Sequence, residues 1–383
     1  MKALYHRIYK LILYSCAFYL RLYFLLVKKK ENPLSQKKIM VLPAYPNNWP
    51  GGKERMANWK PFFEEDGIEY VIYWACNQAE YLGLLSRGFT FKSLLFHCRK
   101  LLTRVKVLKN IRFFDVIYIQ REAIPLYDSR FIGIEKIIIQ HHSNVVFDFY
   151  DADYEGTPLV THFIFEHAHK VTVASEYLRE KVGQYNSQVL FTRLSLPTPE
   201  VKLPENRADG RVRIGWTGSP GNAQNLIKLD SVFAHIAEQY PEVEFHFVCR
   251  KPPELKFNGI VWHDMNDASF DYPKWLAHLD IGIAPYFSND DRNKAKTAMK
   301  SLEFWANKAT LVCSPNGMSD QIEDQNNCLI AYSIDDWGAN LEVLIKDREL
   351  RIEIGTKGYE TFKKYHTYGN NFIELKSFLL PKG

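Results

Sequence analysis

The chain reads as an α/β protein of two similar halves, each a parallel sheet flanked by helices, with the two sheets facing a central cleft. Three observations predict this. Short β-rich runs alternate with helical patterns along all 383 residues, which is the signature of parallel sheets with crossover helices. The alternation is interrupted once, by a polar stretch at 196–211 that carries Pro197, Pro199 and Pro204. The chain is also longer than one hydrophobic core normally serves, and its 46% hydrophobic residues can fill two. We therefore expect a leading helix at 1–30, a first domain at 37–195, a linker at 196–211, a second domain at 212–365 and a terminal helix or tail at 366–383.

The first thirty residues stand apart electrostatically. They hold Lys2, Arg7, Lys10, Arg21, Lys28, Lys29 and Lys30 and no acid, against a whole-chain net charge of +5, so the rest of the chain is net negative. Residues 11–27 are apolar except for Arg21, just long enough to suggest a membrane span. On a helical wheel, however, Arg7, Lys10, Arg21 and Lys28 fall within about 60° of one another, with Tyr, Leu and Phe over the remainder. A basic stripe beside aromatic residues predicts a helix lying in the membrane interface. The alternatives are a span and a basic helix packed on its own protein. No small-residue cleavage site follows, which argues against a removed signal peptide, and the trailing lysines predict the cytoplasmic face of the inner membrane.

In the first half, strands are expected at 38–43, 70–74, 115–120, 136–140, 171–174 and 189–192. Between the second and third of these, residues 87–112 carry eight Arg or Lys and no acid, with Leu94, Cys98, Leu101, Leu102, Val105 and Leu108 at helical spacing. This predicts a cationic amphipathic helix whose charged side is either solvated or drawn to anionic lipid or a lipid-phosphate acceptor. Aromatic residues are not interleaved with its basic ones as in nucleic-acid modules, so nucleic acid is not expected as a partner.

In the second half, strands are expected at 213–217, 243–248, 260–262, 280–284 and 310–313. The first runs through RVRIGWTGSPGN at 211–222 into a helical pattern, with Gly215, Gly218 and Gly221 at its turn. Glycines let backbone amides close on phosphate oxygens at a helix N-terminus, although turns into helices also need glycine for packing alone. Further on, a helix expected at 294–307 would place Lys296, Lys300 and Glu303 on one face. Two cations and a carboxylate suit a diphosphate and a ribose diol; Lys300 and Glu303 at i, i+3 also suit a simple ion pair.

The order of these motifs resembles the family-4 glycosyltransferases of GT-B fold. KIMVLPAYP at 38–46, YIQREAIP at 118–125 and VVFDFYDADY at 145–154 match the first half, and IGWTGS, DIGIAPY, the two lysines, LEFWANKATLVCS and Gly317 match the second in family order. The resemblance implies two Rossmann-like domains and a retaining transfer of a sugar from a nucleotide-diphosphate donor to a glycan or lipid-linked acceptor. It implies no cofactor and no required metal, and suggests a role in bacterial surface polysaccharide synthesis. Lys296 and Lys300 would stabilise the leaving diphosphate, assisted by Thr217, Gly218, Ser219, Gly221 and Asn222. Glu303 would bind ribose; Trp262 is a candidate to flank the base or, alternatively, a packing residue at its strand end. On the acceptor side, the resemblance points to a loop of Gly51, Gly52, Lys53 and Arg55, with Arg121 and the carboxylates Asp148 and Asp151 at later strand ends; the two carboxylates serve either catalysis or helix capping and turn formation. His141, His142, His162 and His167 are further possible sugar contacts, or satisfied structural histidines. The sequence departs from the family twice: Ala295 stands in place of the earlier glutamate of the two-glutamate motif, and Tyr150 replaces an aspartate.

Other classes compete. Gly215, Gly218 and Gly221 with Tyr359 and Lys363 downstream imitate an NAD-dependent nucleotide-sugar epimerase or dehydrogenase, although that class begins with its glycine loop. Ala295 and Tyr150 admit a non-catalytic nucleotide-sugar-binding membrane assembly subunit. Asp151 and Asp153 have the bare spacing of a metal pair but lie in the half opposite the donor motifs, so no metal is expected. The six cysteines have no paired spacing, which predicts reduced thiols rather than a disulfide framework.

Overall fold

The structure, a computed structural model, describes residues 2–27, 36–47, 49–85, 88–124, 130–199 and 209–381. Lys28, Lys29, Lys30, Arg87, Pro125 and Pro204 lie outside them, as does the side chain of Asp153. The chain divides into two compact units, Met1–Arg193 with Asn371–Gly383, and Leu194–Asn370. The stretch expected as one tail at 366–383 is therefore shared: His366 stays with the second unit through Nδ1 to the Leu194 carbonyl at 3.0 Å, whereas Phe372 packs on Phe63 of the first at 5.0 Å.

The first unit holds β1 (Lys38–Leu42), β2 (Glu69–Ile72), β3 (Val116–Gln120), β4 (Val145–Phe149), β5 (Lys170–Val173) and β6 (Val189–Phe191). They pair in the order β2-β1-β3-β4-β5-β6. Every pairing is parallel, with Ile39 opposite both Tyr70 and Val116. Helices cover both faces, so β1, β3 and β4 are buried along nearly their whole length rather than on alternate residues.

One expected strand is a helix. Residues 136–140, KIIIQ, belong to the helix Gly133–His141, and the neighbouring strand is 145–149 instead. The isoleucines look strand-like, yet Ile134, Ile137 and Ile138 bury one face at helical spacing while Lys136 stays exposed. A short apolar run does not settle its own period.

The N-terminal helix Lys2–Leu26 is long and apolar enough to cross a membrane by length and composition. In the structure it lies along the first unit, burying Tyr5, Tyr9, Leu13, Leu20 and Phe24 against the helices Phe91–Leu108 and Gly133–His141. Each such side chain removed from water contributes roughly 1.5–3 kcal/mol. The Phe91–Leu108 helix is the expected basic one. It starts at Thr90, whose hydroxyl accepts from the Ser93 amide while Ser93 Oγ accepts from Thr90.

The second unit holds β7 (Val212–Thr217), β8 (Val243–Cys249), β9 (Ile260–Asp264), β10 (Ile281–Ala284), β11 (Thr310–Cys313) and the short β12 (Leu329–Ile330). Their order is β12-β11-β10-β7-β8-β9, again all parallel. Side chains alternate between two cores: Ile214, Trp216 and Phe247 face one helical layer, and Leu311, Cys313 and Trp305 the other. All six cysteines carry free thiols. Each sheet reverses direction of growth at one place, between β1 and β3 and between β7 and β10. Such switch points open a crevice at the carboxyl ends of the strands, where ligands of doubly wound sheets bind.

Candidate functional site

At the switch point of the second unit, β7 ends in Thr217 and Gly218, and the helix Pro220–Ile227 follows from Ser219. The glycines divide by cause. A side chain on Gly215 would meet Leu279 at 2.2 Å and one on Gly218 would meet Trp216 at 2.5 Å, so both are required by packing; at Gly221 the only neighbour is Ser219 Oγ at 3.9 Å. Ser219, Pro220 and Gly221 are exposed, and Ser219 does not cap its helix with its side chain. The first turn carries no acid. This helix end is thus open to an anion.

The helix expected at 294–307 is two helices, Asp291–Lys294 and Met299–Ala306. Asp290 caps the first by accepting from the Asn293 amide, and the chain breaks at 295–298 with Ala295 fully buried. Lys296, Lys300 and Glu303 consequently do not share one helical face. Lys296 lies in the break, where its ammonium donates to Asn222 Oδ1 at 3.0 Å and sits 4.0 Å from the Tyr286 ring centre. Lys300 pairs with Glu303 at 3.0 Å, both partly buried. Gly317 turns beneath this break at φ 71°, and a side chain there would meet the Asn293 carbonyl at 3.1 Å and Lys296 Cβ at 3.4 Å.

Several residues that hold this end together had no role in the sequence reading. Asn225 accepts from the Phe287 amide at 3.4 Å and donates to the Asn222 carbonyl at 3.1 Å, tying the segment after β7 to the segment after β10. Ser314 Oγ accepts from the Tyr286 amide at 2.9 Å. The Tyr272 hydroxyl is buried beside the Glu303 carboxylate and the Thr217 hydroxyl, and burial followed by the Glu303 charge raises its pKa. Tyr286 closes the DIGIAPY run and was visible as the end of a strand; Tyr272 carries no motif. Trp262 is on the edge strand β9, 38% exposed, and donates Nε1 to the Cys249 carbonyl at 3.1 Å.

In the first unit the expected loop of Gly51, Gly52, Lys53 and Arg55 is a helix, Pro50–Arg55, with proline at its first turn. Gly51 and Gly52 are buried; a side chain on Gly51 would strike the Tyr150 hydroxyl at 2.6 Å. Lys53 is exposed. Arg55 points inward, donating through Nε to Asp148 at 3.2 Å, through Nη2 to its other oxygen, and through Nη1 to the Thr192 carbonyl at 2.7 Å. Thr172 also donates to Asp148 at 2.8 Å. Asp148 is completely buried, so the candidate catalytic carboxylate is instead one half of a saturated internal ion pair, with no oxygen at the surface for a substrate. Asp151 is half-buried just beyond β4.

Arg121 follows β3 in the left-handed region at φ 63°, a conformation costing about 1–2 kcal/mol for a side-chain-bearing residue. Its amide donates to the Asp148 carbonyl at 2.9 Å, and its guanidinium donates to the Tyr45 hydroxyl. This strained residue lies beside the switch point of the first unit. Nearby, Glu135 is buried; its Oε1 accepts from the Ala123 amide at 3.0 Å, and burial pushes its pKa up to about 7.

The histidines lie elsewhere. His141 stacks on Phe24 at 5.0 Å. His142 bonds the Phe114 carbonyl at 2.9 Å, at the amino ends of β3 and β4, and His167 bonds the Phe163 carbonyl at 3.0 Å. His162 packs edge-on against Tyr185. Tyr359 and Lys363, the residues that imitate a dehydrogenase, sit in the helix Arg348–Tyr365, where Tyr359 packs against a core layer. Together with the covered Gly215 and Gly218, this removes the dehydrogenase reading. Among the described residues, no group of three or more His, Cys, Asp or Glu side chains converges as metal ligands would.

Two parallel six-stranded doubly wound sheets, each with its own switch point, define the GT-B class. Residues 231–377, within the second unit and the last helix, match the glycosyl transferase-like family. The fold extends over nearly the whole chain. It is similar to sucrose-phosphate synthase from Thermosynechococcus elongatus (TM-score 0.65, 10% identity, 89% of this chain and 98% of that one). It is also similar to a HepE protein from Anabaena in complex with UDP and glucose (0.63, 13%, 89% and 99%), and to a glycosyltransferase from Rickettsia africae (0.62, 11%, 91% and 100%). No curated protein matches by sequence. The second unit thus resembles the glycosyl transferase-like family, and nearly the whole chain shares the fold of these solved structures.

Proposed function

We propose that the protein transfers a sugar, with retention and without a metal, from a nucleotide-diphosphate donor to a glycan or lipid-linked acceptor in bacterial surface polysaccharide synthesis. We place it peripherally on the cytoplasmic face of the inner membrane. The observation that carries the donor reading is the pairing of Lys296 with Asn222: an ammonium held over the exposed end of the Pro220–Ile227 helix by a neutral partner. A diphosphate entering there would replace the neutral amide acceptor of Lys296 with charged oxygens. Cleavage of the bond from the anomeric carbon to phosphate places negative charge on the departing diphosphate, which Lys296 and the amides of 218–222 would stabilise. Lys300, paired with Glu303 at 3.0 Å, would orient that carboxylate toward ribose hydroxyls. The solved complex of HepE with UDP and glucose supports UDP as the first nucleotide to try.

Thermal-shift and calorimetric titrations with UDP, GDP, ADP and dTDP test this directly, since a ligand of the folded state raises stability with the logarithm of its saturation. One nucleotide should stand out, its binding should survive chelation of divalent ions, and Lys296→Ala should weaken it at least tenfold. Equal binding by wild type and Lys296→Ala would remove the donor site from this position. The anomeric configuration of the product, read by NMR, tests retention. Ala295, buried where the family's earlier glutamate stands, favours one rival, a nucleotide-sugar binder without turnover; donor hydrolysis by the purified protein would exclude it.

A further inference from the structure

We propose that the N-terminal helix and the basic helix Phe91–Leu108 form one lipid-facing surface, which seats the first unit on an anionic bilayer in a fixed orientation. This rests on the peripheral-membrane reading above and specifies its partner and geometry.

The N-terminal helix is not a free tether. Near its start, the Tyr5 hydroxyl bonds His97 of the basic helix and Lys2 lies 5.0 Å from the Phe89 ring centre. At its end, Arg112 donates to the carbonyls of Phe24, at 2.7 Å, and Val27. Crossing a bilayer would strip the aromatic inner face from these partners.

Its outer face is apolar as well. Leu4, Leu11, Phe18 and Leu25 recur every seven residues and are 62%, 68%, 64% and 74% exposed, a spacing that keeps them on one stripe. The basic helix adds Phe91, Leu95 and Leu102, 72%, 54% and 49% exposed. Soluble surfaces rarely gather so many large apolar side chains without a partner to cover them.

Charge identifies the partner. Arg7, Lys10 and Arg21 beside the first stripe and Lys92, Arg99 and Lys106 beside the second are all exposed, and neither helix contains an acid. Apolar side chains bordered by cations match the boundary between acyl chains and anionic headgroups. The inner side of the basic helix reaches the carboxyl end of β1, where Arg104 donates to the Pro43 carbonyl at 3.1 Å. The basic helix therefore stands between the proposed docking plane and the switch point of the first unit, to which a lipid-linked acceptor would bring its reacting end.

The experiment uses the full chain and sedimentation with vesicles of phosphatidylcholine, alone or mixed with phosphatidylglycerol. Two variants carry it: Phe18→Ser with Leu25→Ser, and Lys92→Gln with Arg99→Gln and Lys106→Gln. All these positions are exposed, and an unchanged thermal midpoint checks folding. The wild type should bind only the mixed vesicles, with affinity that falls as salt rises, and each variant should bind about tenfold or more weakly. Full binding by the basic-helix variant would overturn the shared surface and leave the N-terminal helix as a lone anchor. Displacement from vesicles by a soluble short-chain polyprenyl phosphate would reassign the basic residues to an acceptor headgroup and also overturn it. A wild type that ignores all vesicles would end the membrane reading itself, while nucleotide titration in solution still reports on the donor site.

Discussion

At the carboxyl ends of the first sheet, Asp148 and Arg55 are bonded to each other and to Thr172 and the Thr192 carbonyl, both completely or nearly completely out of water. At the corresponding ends of the second sheet, Lys296 donates to a neutral amide oxygen and lies against a ring face, with the Asp290 carboxylate close enough to act on it electrostatically. Both positions combine a strand end, a helix start and a charged side chain. The difference is availability: a charge whose partner is another buried charge cannot leave it for a substrate, whereas one resting on an amide can. Charge type and position in the sequence do not distinguish the two cases; partners do.

The sharpest way to break the comparison is Asp148→Ala. If the ion pair is internal scaffolding, removing one partner strands the Arg55 guanidinium and should cost about 3–5 kcal/mol of stability, measured by urea unfolding. Replacing both partners by apolar residues should recover much of that loss. A variant that unfolds like the wild type yet loses transfer activity would return Asp148 to the substrate.

Glu135 sharpens the same contrast through pH. Burial favours its neutral form and raises its pKa to about 7, whereas the unfolded chain titrates near ~4.3. Below the unfolded value both states are protonated and the neutral group's contribution is fully present. As pH rises the unfolded state ionises first, so stability is lost progressively until the folded carboxyl itself ionises near 7. Between about pH 4 and 7 the wild type should lose up to about 3 kcal/mol relative to Glu135→Gln. Parallel stability profiles for the two proteins would show that the carboxylate has a partner in the native state.

Lys296→Ala should behave in the opposite sense, leaving stability within about 1 kcal/mol while nucleotide-diphosphate affinity falls by about 1.5–3 kcal/mol, the worth of a hydrogen bond to a charged group. Calorimetric titration beside a melting curve separates the two. A large loss of stability with unchanged affinity would make Lys296 the counterpart of Arg55.

What the sequence made legible follows from range. Five strands of the second half were readable because each is a self-contained apolar run ended by glycine, proline or a polar turn, and the switch points follow from connecting them. Residues 136–140 were not, because three isoleucines in a row satisfy either period until the tertiary face is known. The break at 295–298 was hidden as well: alanines and lysines are good helix formers, and the first helix, started by its Asp290 cap, ends at Ala295, which is fully buried. The decisive partners were beyond reach for a simpler reason. Asn222 and Lys296 are 74 residues apart, Arg55 and Asp148 are 93 apart, and no local pattern announces either pair.

Tyr272→Phe probes the smallest of these effects and the finest division within the second site. Its hydroxyl lies between Glu303 and Thr217, so it acts on ligand only through the carboxylate it orients. The hydroxyl is buried beside the carboxylate without a well-formed hydrogen bond to it, so its removal should cost no more than about 1 kcal/mol, a few-fold in affinity. If Glu303 meets ribose while Lys296 meets phosphate, Tyr272→Phe should weaken a nucleoside diphosphate but leave inorganic pyrophosphate unchanged, and Lys296→Ala should weaken both. Equal loss for both ligands in the tyrosine variant would mean that the hydroxyl supports the whole strand end, Thr217 included, and that the carboxylate has no separate part in holding the nucleotide.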